Sequence, residues 1–180
     1  ALLALTYAEA FSQTGRTLYA SIARRTFDYV LRELSGPQGA FFCGHAADCR
    51  GVEGGFYLFT SRELSALLGP RDAAAFCRWY GIPPEGEAGS LPHLMGCAQL
   101  DREPDMLPAL RQRVFQFRAS RNPLFRDEKV LTAWNGLMIA ALARAGLLLE
   151  APRYLTAAEQ AAAFIQRQMT GPDGRLSASW

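Results

Sequence analysis

Lysine is nearly absent from this sequence: of nineteen basic residues only Lys129 is a lysine, and the rest are arginine. The four cysteines, Cys43, Cys49, Cys77 and Cys97, contain no C-x-x-C pair, which excludes a dithiol redox motif and a zinc knuckle. No apolar run reaches the roughly 18 residues of a membrane span without a charge or a glycine break. No signal peptide opens the chain, because the apolar start at Ala1 is short and lacks a basic flank. The net charge of +2 is small and the arginines are dispersed, which gives nucleic acid no basic patch. These absences leave a reducing compartment, with cytoplasm as the expected location. Neither a membrane nor a nucleic acid is an expected partner, and no cofactor is implied.

What is present is globular material, 49% hydrophobic and 20% charged, enough for one sizeable core. The chain opens inside a helical pattern and stops at Trp180, so it is expected to be a fragment of a longer protein. The stretch from Arg126 to Ala145 organises the rest. It begins with four charged residues, places Thr132, Trp134 and Asn135 in an apolar run, and continues as nearly uninterrupted hydrocarbon to Leu149. Apolar residues on every side of the helical wheel predict a helix buried all round. An asparagine and a tryptophan near its charged start suggest a wall ending at a cavity. The plainer reading is that Asp127 caps the helix, worth about 1 kcal/mol, and that Trp134 is core.

An apolar helix over 1–14 and a one-sided helix from Thr17 to Leu34 form a first hairpin, stopped by Gly36-Pro37-Gln38-Gly39. The pattern returns at an offset of 135 residues, with Leu137–Leu149 as the apolar helix and Tyr154–Met169 as the one-sided partner. Ala10 matches Ala145, Tyr19 matches Tyr154, Ala23 matches Ala158 and Arg32 matches Arg167. Gly36-Pro37 and Gly39 match Gly171-Pro172 and Gly174. Repeated hairpins that alternate an apolar helix with an amphipathic one build an inner and an outer layer. The expected fold is therefore mainly α, an incomplete α/α toroid or solenoid of helical hairpins with a small β-hairpin insertion. The divisions are 1–40, 41–126 and 127–180. Within the insertion, 41–43 and 56–59 are expected to pair as antiparallel strands. Helices are expected from Thr60 or Ser61 to Gly69, over Asp72–Tyr80, and from about Pro104 to Arg118, with loop from Gly81 to Pro92.

Asp127–Ile139, read as DEKVLTAWNGLMI, resembles the D-[DE]-K-[VI]-L-[TS]-x-W-N-G-L-M-I signature of a family. Its members join a thioredoxin-like domain to a six-hairpin toroid: bacterial YyaL-type proteins and animal spermatogenesis-associated thioredoxin-like proteins. Glu53–Thr60 (EGGFYLFT) and Phe76–Gly81 (FCRWYG) are similar to two further segments of that family. The resemblance spans essentially the whole chain. It implies a toroid like those of N-acylglucosamine 2-epimerases and six-hairpin glycosidases, with a site at the mouth of the inner helices and the thioredoxin-like domain upstream. The sequence departs from the family at Phe41–Cys49, where an acidic F-[YF]-S-A-E-D-A-D-S loop is usual. Here His45 and Ala46 replace two of its acids, and only Asp48 remains. The segment between Glu85 and Leu94 also matches poorly.

A sugar-processing site needs two carboxylates beside aromatic platforms. The candidate catalytic acids are Asp48, Glu53 and Asp127, with Glu128 and Trp79 in suitable segments. Lys129, Trp134, Asn135 and Tyr57 are candidates for contacting a carbohydrate-like ligand. Asp127 and Lys129 are expected at the mouth, with Asn135 facing the ring axis. Each acid has an ordinary structural reading as a turn, a cap or, with Lys129, an ion pair. Cys43, His45 and Cys49, with His93 and Cys97, offer thiolates and imidazoles, but their spacing fits no standard zinc pattern, so no metal is expected. Two functions follow: an enzyme or binding domain for a carbohydrate-like ligand, or a scaffold positioning another domain or a protein partner. Apolar flanks left open on helices 1–14 and 154–169 would favour self-association.

Overall fold

The structure is a computed structural model that describes residues 1–49, 51–83, 103–121 and 123–180. The segments Glu85–Leu94 and Gly81–Pro92, His93 and Cys97 therefore lie wholly or largely outside the described residues. The described residues are mainly helical, with two small two-stranded sheets among them. It divides into two compact units, residues 1–45 with 126–180, and residues 46–125. No helix among the described residues is long and apolar enough to cross a membrane.

The first unit contains both hairpins. Helices α1 (Leu2–Thr14) and α2 (Thr17–Glu33) form one, and α6 (Thr132–Leu148) and α7 (Pro152–Gln168) form the other. The two apolar helices α1 and α6 pack on each other, as well as on their own partners. Small residues make that approach close: Ala4, Ala8, Ala141 and Ala145 are all buried at the common core with Phe27, Leu142 and Tyr154. Between α6 and α7 the fit is tighter still. A Cβ added to Gly146 would stand 2.6 Å from Leu155 Cγ, so only glycine allows this spacing.

The repeat seen in sequence recurs bond for bond at the hairpin turns. Gly36 N–H donates to Ala40 O at 2.8 Å, and Gly171 N–H donates to Arg175 O at 2.8 Å. Phe42 N–H reaches Leu34 O just as Ser177 N–H reaches Met169 O. The bridges Ser35↔Phe41 and Thr170↔Leu176 keep the same register.

Burial of the apolar helices is less complete than their composition suggests. Along α6 the buried side is Asn135, Met138, Ala141, Leu142, Ala145 and Gly146, a 3.6-residue stripe. Trp134, Leu137 and Leu147 face outward, 57%, 47% and 65% exposed, which corrects the expectation of a helix buried all round. Helix α1 exposes Leu2 and Leu3, whereas α7 exposes no large apolar side chain among the described residues. The open apolar flanks thus lie on α1 and α6, because the outer face of α7 is polar by sequence.

In the second unit, α3 (Ser61–Leu68), α4 (Pro70–Tyr80) and α5 (Leu107–Ala119) enclose Phe59, Leu64, Phe76, Leu107 and Leu110. Helix α3 starts at a complete capping box: Thr60 Oγ1 accepts from Glu63 N–H, and Glu63 Oε2 accepts from Thr60 N–H.

Helix C-termini leave carbonyls without intrahelical donors, and arginines from elsewhere in each unit supply them. Arg24 donates to Leu149 O at the end of α6, Arg126 to Glu33 O at the end of α2, and Arg113 to Leu67 O near the end of α3. The planar guanidinium, with five donors in a fixed fork, suits this task better than an ammonium.

The end of α6 differs from the end of α1 in one telling position. Gly15 follows α1 at φ 68, and Glu150, at the same repeat offset, follows α6 at φ 50. Ala151 N–H closes back onto Gly146 O, a Schellman-type stop that wants glycine in the left-handed position. Glu150→Gly is expected to raise stability by about 1 kcal/mol, roughly 2–4 °C in Tm, measured by thermal and urea unfolding.

Tyr154 generates a second expectation. Its ring is wholly buried against Phe27, and its hydroxyl donates to Asp28 Oδ1 at 2.9 Å. Burial, then the Asp28 hydrogen bond, pushes the phenol up to about 12. The raised value favours the protonated folded state. This stabilisation is therefore fully present below the unfolded tyrosine pKa near 10, and is lost as pH rises through about 12. Wild type should lose on the order of 2–3 kcal/mol across that interval, and Tyr154→Phe should show no such loss in pH-dependent urea denaturation.

Candidate functional site

The candidate residues fall into two groups, one in each unit. In the first, the approach to α6 is an extended segment, 126–131, paired along both edges. On one side β1 (Gly44–His45) pairs antiparallel with β4 (Arg126–Asp127), in the register Gly44↔Asp127 and His45↔Arg126. On the other, Val130 and Trp180 exchange both backbone hydrogen bonds, at 3.0 and 2.9 Å, and Leu131 bridges Ser179.

Asp127 sits on this ribbon and does not cap α6, whose N-cap is Leu131 with no side-chain hydrogen bond. Its Oδ1 accepts from Lys129 N–H at 3.2 Å, and its Oδ2 pairs with Lys129 Nζ at 3.2 Å. The aspartate follows the local turn habit of its side chain, and the helix begins four residues later than a cap would require. Lys129 and Asp127 therefore neutralise each other at a solvent-facing position.

Asn135 is the buried polar residue of α6, 1% exposed. Its Oδ1 accepts from Phe41 N–H at 2.8 Å, and its Nδ2 donates to Phe41 O at 2.9 Å and to Leu131 O at 3.0 Å. The carboxamide reproduces one rung of a β-ladder against Phe41, and both amide hydrogens are spent on protein. Trp134, next along the helix, turns outward.

Cys43 N–H is shared between Asp127 O and Lys129 O. Burial pushes the Cys43 thiol up, Asp127 adds to the shift and Lys129 opposes it, so the sulfur stays protonated. His45 Nδ1 lies 3.3 Å from Tyr29 Oη. Among the described residues no three His, Cys, Asp or Glu side chains converge as metal ligands.

In the second unit, β2 (Asp48–Cys49) and β3 (Val52–Glu53) form a tight hairpin with Gly51 at φ 80. The register is Cys49↔Val52 and Asp48↔Glu53, with Gly54 N–H donating to Ala47 O at 2.7 Å. Asp48 and Glu53 thus oppose each other directly on one face, with Cβ atoms about 5 Å apart by ladder geometry. Both are exposed, and neither carboxylate has a hydrogen bond or ion pair with a described residue.

The expected pairing of 41–43 with 56–59 does not occur. Segment 41–43 is held by Ser35, Asn135 and the β4 edge, while Phe56 and Tyr57 lie in a turn closed by Tyr57 N–H to Gly54 O at 2.8 Å. Gly54 at φ 70 starts that turn, and the capping box of α3 ends it. The insertion hairpin is β2–β3 instead.

The turn is fastened by two arginines that sequence reasoning passed over. Arg121 donates to the carbonyls of Gly55, Phe56 and Leu58 and to Glu63 Oε1 at 3.1 Å. Arg118 lies over the rings of Tyr57, Phe115 and Phe56, at 5.1, 5.5 and 5.7 Å. Phe56 and Tyr57 meet edge to face, with centroids 5.0 Å apart. The signal was present as aromatic–arginine pairs three and four residues apart, Phe115 with Arg118 on α5 and Phe117 with Arg121 just past its end.

None of the seven candidate residues lines either of two hollows among the described residues. One, of about 170 Å³, lies against the Gly36–Ala40 turn, Phe42, Glu128, Phe164 and Trp180. The other, of about 290 Å³, is walled by Arg78, Trp79, Met106 and Leu107.

The clamp makes a direct prediction. Asn135→Ala should destabilise the protein by about 3 kcal/mol, since it strands the buried Phe41 amide and carbonyl, and urea unfolding would measure it.

No family model matches the chain. It is similar to spermatogenesis-associated protein 20 of Rattus norvegicus, 29% identical over 205 aligned residues that take in 94% of this chain and 26% of the relative. The Homo sapiens protein of that name is 28% identical over 228 residues, 99% of this chain and 29% of the relative. The chain thus spans little more than a quarter of the length of these curated relatives, and is homologous to them over nearly all of its own.

Proposed function

We propose that this chain is the ligand-binding part of an α/α hairpin scaffold, and that its ligand is carbohydrate-like. The observation that carries the reading is the Asp48–Glu53 pair, two unpartnered carboxylates in direct cross-strand register. The Phe56–Tyr57 rings follow within four residues. Paired carboxylates accept sugar hydroxyls, and ring faces stack on sugar C–H surfaces; with one acid protonated, the same pair would support glycosidase- or epimerase-type chemistry. In this reading the scaffold extends through further hairpins into a toroid, because α1 and α6 already stack as neighbours. A thioredoxin-like domain lies upstream, as the resemblance implies. The free Cys43, Cys49 and Cys77 fit a reducing, cytoplasmic setting.

A second reading is favoured by a different observation. Asp127 is neutralised by Lys129, the Asn135 amide is consumed by Phe41, and α6 turns Trp134, Leu137 and Leu147 outward. That combination suits a non-catalytic scaffold whose α6 face is covered by apolar contact, in the isolated chain by a second copy.

Binding of a panel of neutral mono- and disaccharides, followed by chemical-shift changes, separates the two. The ligand reading expects perturbations at Phe56 and Tyr57 that weaken at least tenfold in Asp48→Asn/Glu53→Gln. Stability should be unchanged or slightly raised, since like charges opposite each other are relieved. Absence of any response at millimolar sugar, with dimers by light scattering, would leave the scaffold.

A further inference from the structure

From Arg118 we infer that the ligand of this site is acidic, a hydroxylated molecule carrying a carboxylate or a phosphate; the inference rests on the carbohydrate-binding reading above. The other arginines of α5 and its end have their donors engaged. Arg111 bonds Glu103 and the Tyr80 hydroxyl, Arg113 bonds Leu67 O, and Arg121 takes three carbonyls and Glu63. Arg118 is half-buried yet makes no hydrogen bond or ion pair with a described residue; it meets only the rings of Phe56, Tyr57 and Phe115.

Three rings around a guanidinium fix its position and shield its faces. The N–H donors are left at its edge, in a planar fork that matches a carboxylate or phosphate with two parallel hydrogen bonds. The side chain is therefore ordered before any ligand arrives, and little rotamer freedom remains to be lost on binding. Its position defines the ligand's second end. Tyr57 follows Glu53 by one turn, so Arg118 is tied to the same hairpin-and-turn segment that presents the two carboxylates. Hydroxyls would meet Asp48 and Glu53, and the anionic group would meet Arg118. The two acids discourage an anion at their own end and so set the ligand's direction.

Calorimetric titration of the full chain with glucose, glucuronate and glucose 6-phosphate tests this. The expected result is binding at least tenfold tighter for an acidic sugar than for glucose. Arg118→Gln should abolish the preference, bringing the acidic sugars to within about twofold of glucose in the same variant. Arg118→Lys keeps the charge without the fork, and should lose most of the preference even if the glutamine variant folds poorly. Whichever acidic sugar binds tighter assigns the anion as carboxylate or phosphate. Equal affinity for all three, untouched by either substitution, overturns the inference and leaves the carbohydrate reading standing, with Arg118 as stacking only. Binding of none of the three overturns both.

Discussion

The Asn135–Phe41 pairing holds the first unit together in a way that no apolar contact would. Helix α6 and the segment after the first turn are far apart in sequence, and their backbones cannot share a ladder, because one is helical and the other extended. A carboxamide carries one donor side and one acceptor side at peptide spacing, so it can finish a strand from within a helix. Around that joint the approach to α6 is bonded along both edges, by 43–45 and by 177–180. The inner helices then pack at alanine spacing. The cost of leaving Phe41 unsatisfied in a dry interior is what makes the register of the two hairpins specific.

Much of this architecture was legible because it rests on local rules. The periodic apolar pattern, the Gly-Pro-x-Gly stops and the repeat offset located both hairpins, since each signal acts through neighbours in the chain. Every helix end of the two hairpins falls within two residues of its expected place except the start of α6, which lies five residues before the expected Leu137. The start of α3 at Thr60 or Ser61 was equally local, and the structure settles it on Thr60. What was not legible depends on non-local choices. An aromatic run such as Phe56–Phe59 satisfies the strand template, yet Gly54 and the α3 cap curl it into a turn. The exposure of Trp134 was hidden because apolar composition does not say which neighbours are present. Asp48 and Glu53 were singled out from sequence, but their cross-strand register needed the position of Gly51. Asn135 was singled out as a polar residue in an apolar run and expected to face the ring axis; its partner, ninety-four residues away, was beyond reach of any local signal.

The heavy use of arginine has a structural reading that composition alone did not supply. Arg24, Arg113 and Arg126 close helix ends that belong to other elements, and Arg121 gathers three carbonyls of one turn. A long, always-charged fork can reach across a helix pair and still present several donors in one plane. Lysine in these places would offer a strongly hydrated point charge that resists partial burial. The two units thus use the same device, each within itself.

The lone lysine has a practical side. Lys129 stands on the ribbon that leads into α6, with its side chain 65% exposed, and it is the only side-chain amine in the sequence. Amine-directed reagents that would decorate most proteins at random find a single side-chain address here. A fluorophore or spin label attached through it would report from one known place, two residues from the Asp127 register position and six from the Asn135 clamp. Loss of its charge would also free the Asp127 carboxylate, so the act of labelling would itself change the electrostatics of the ribbon it reports on.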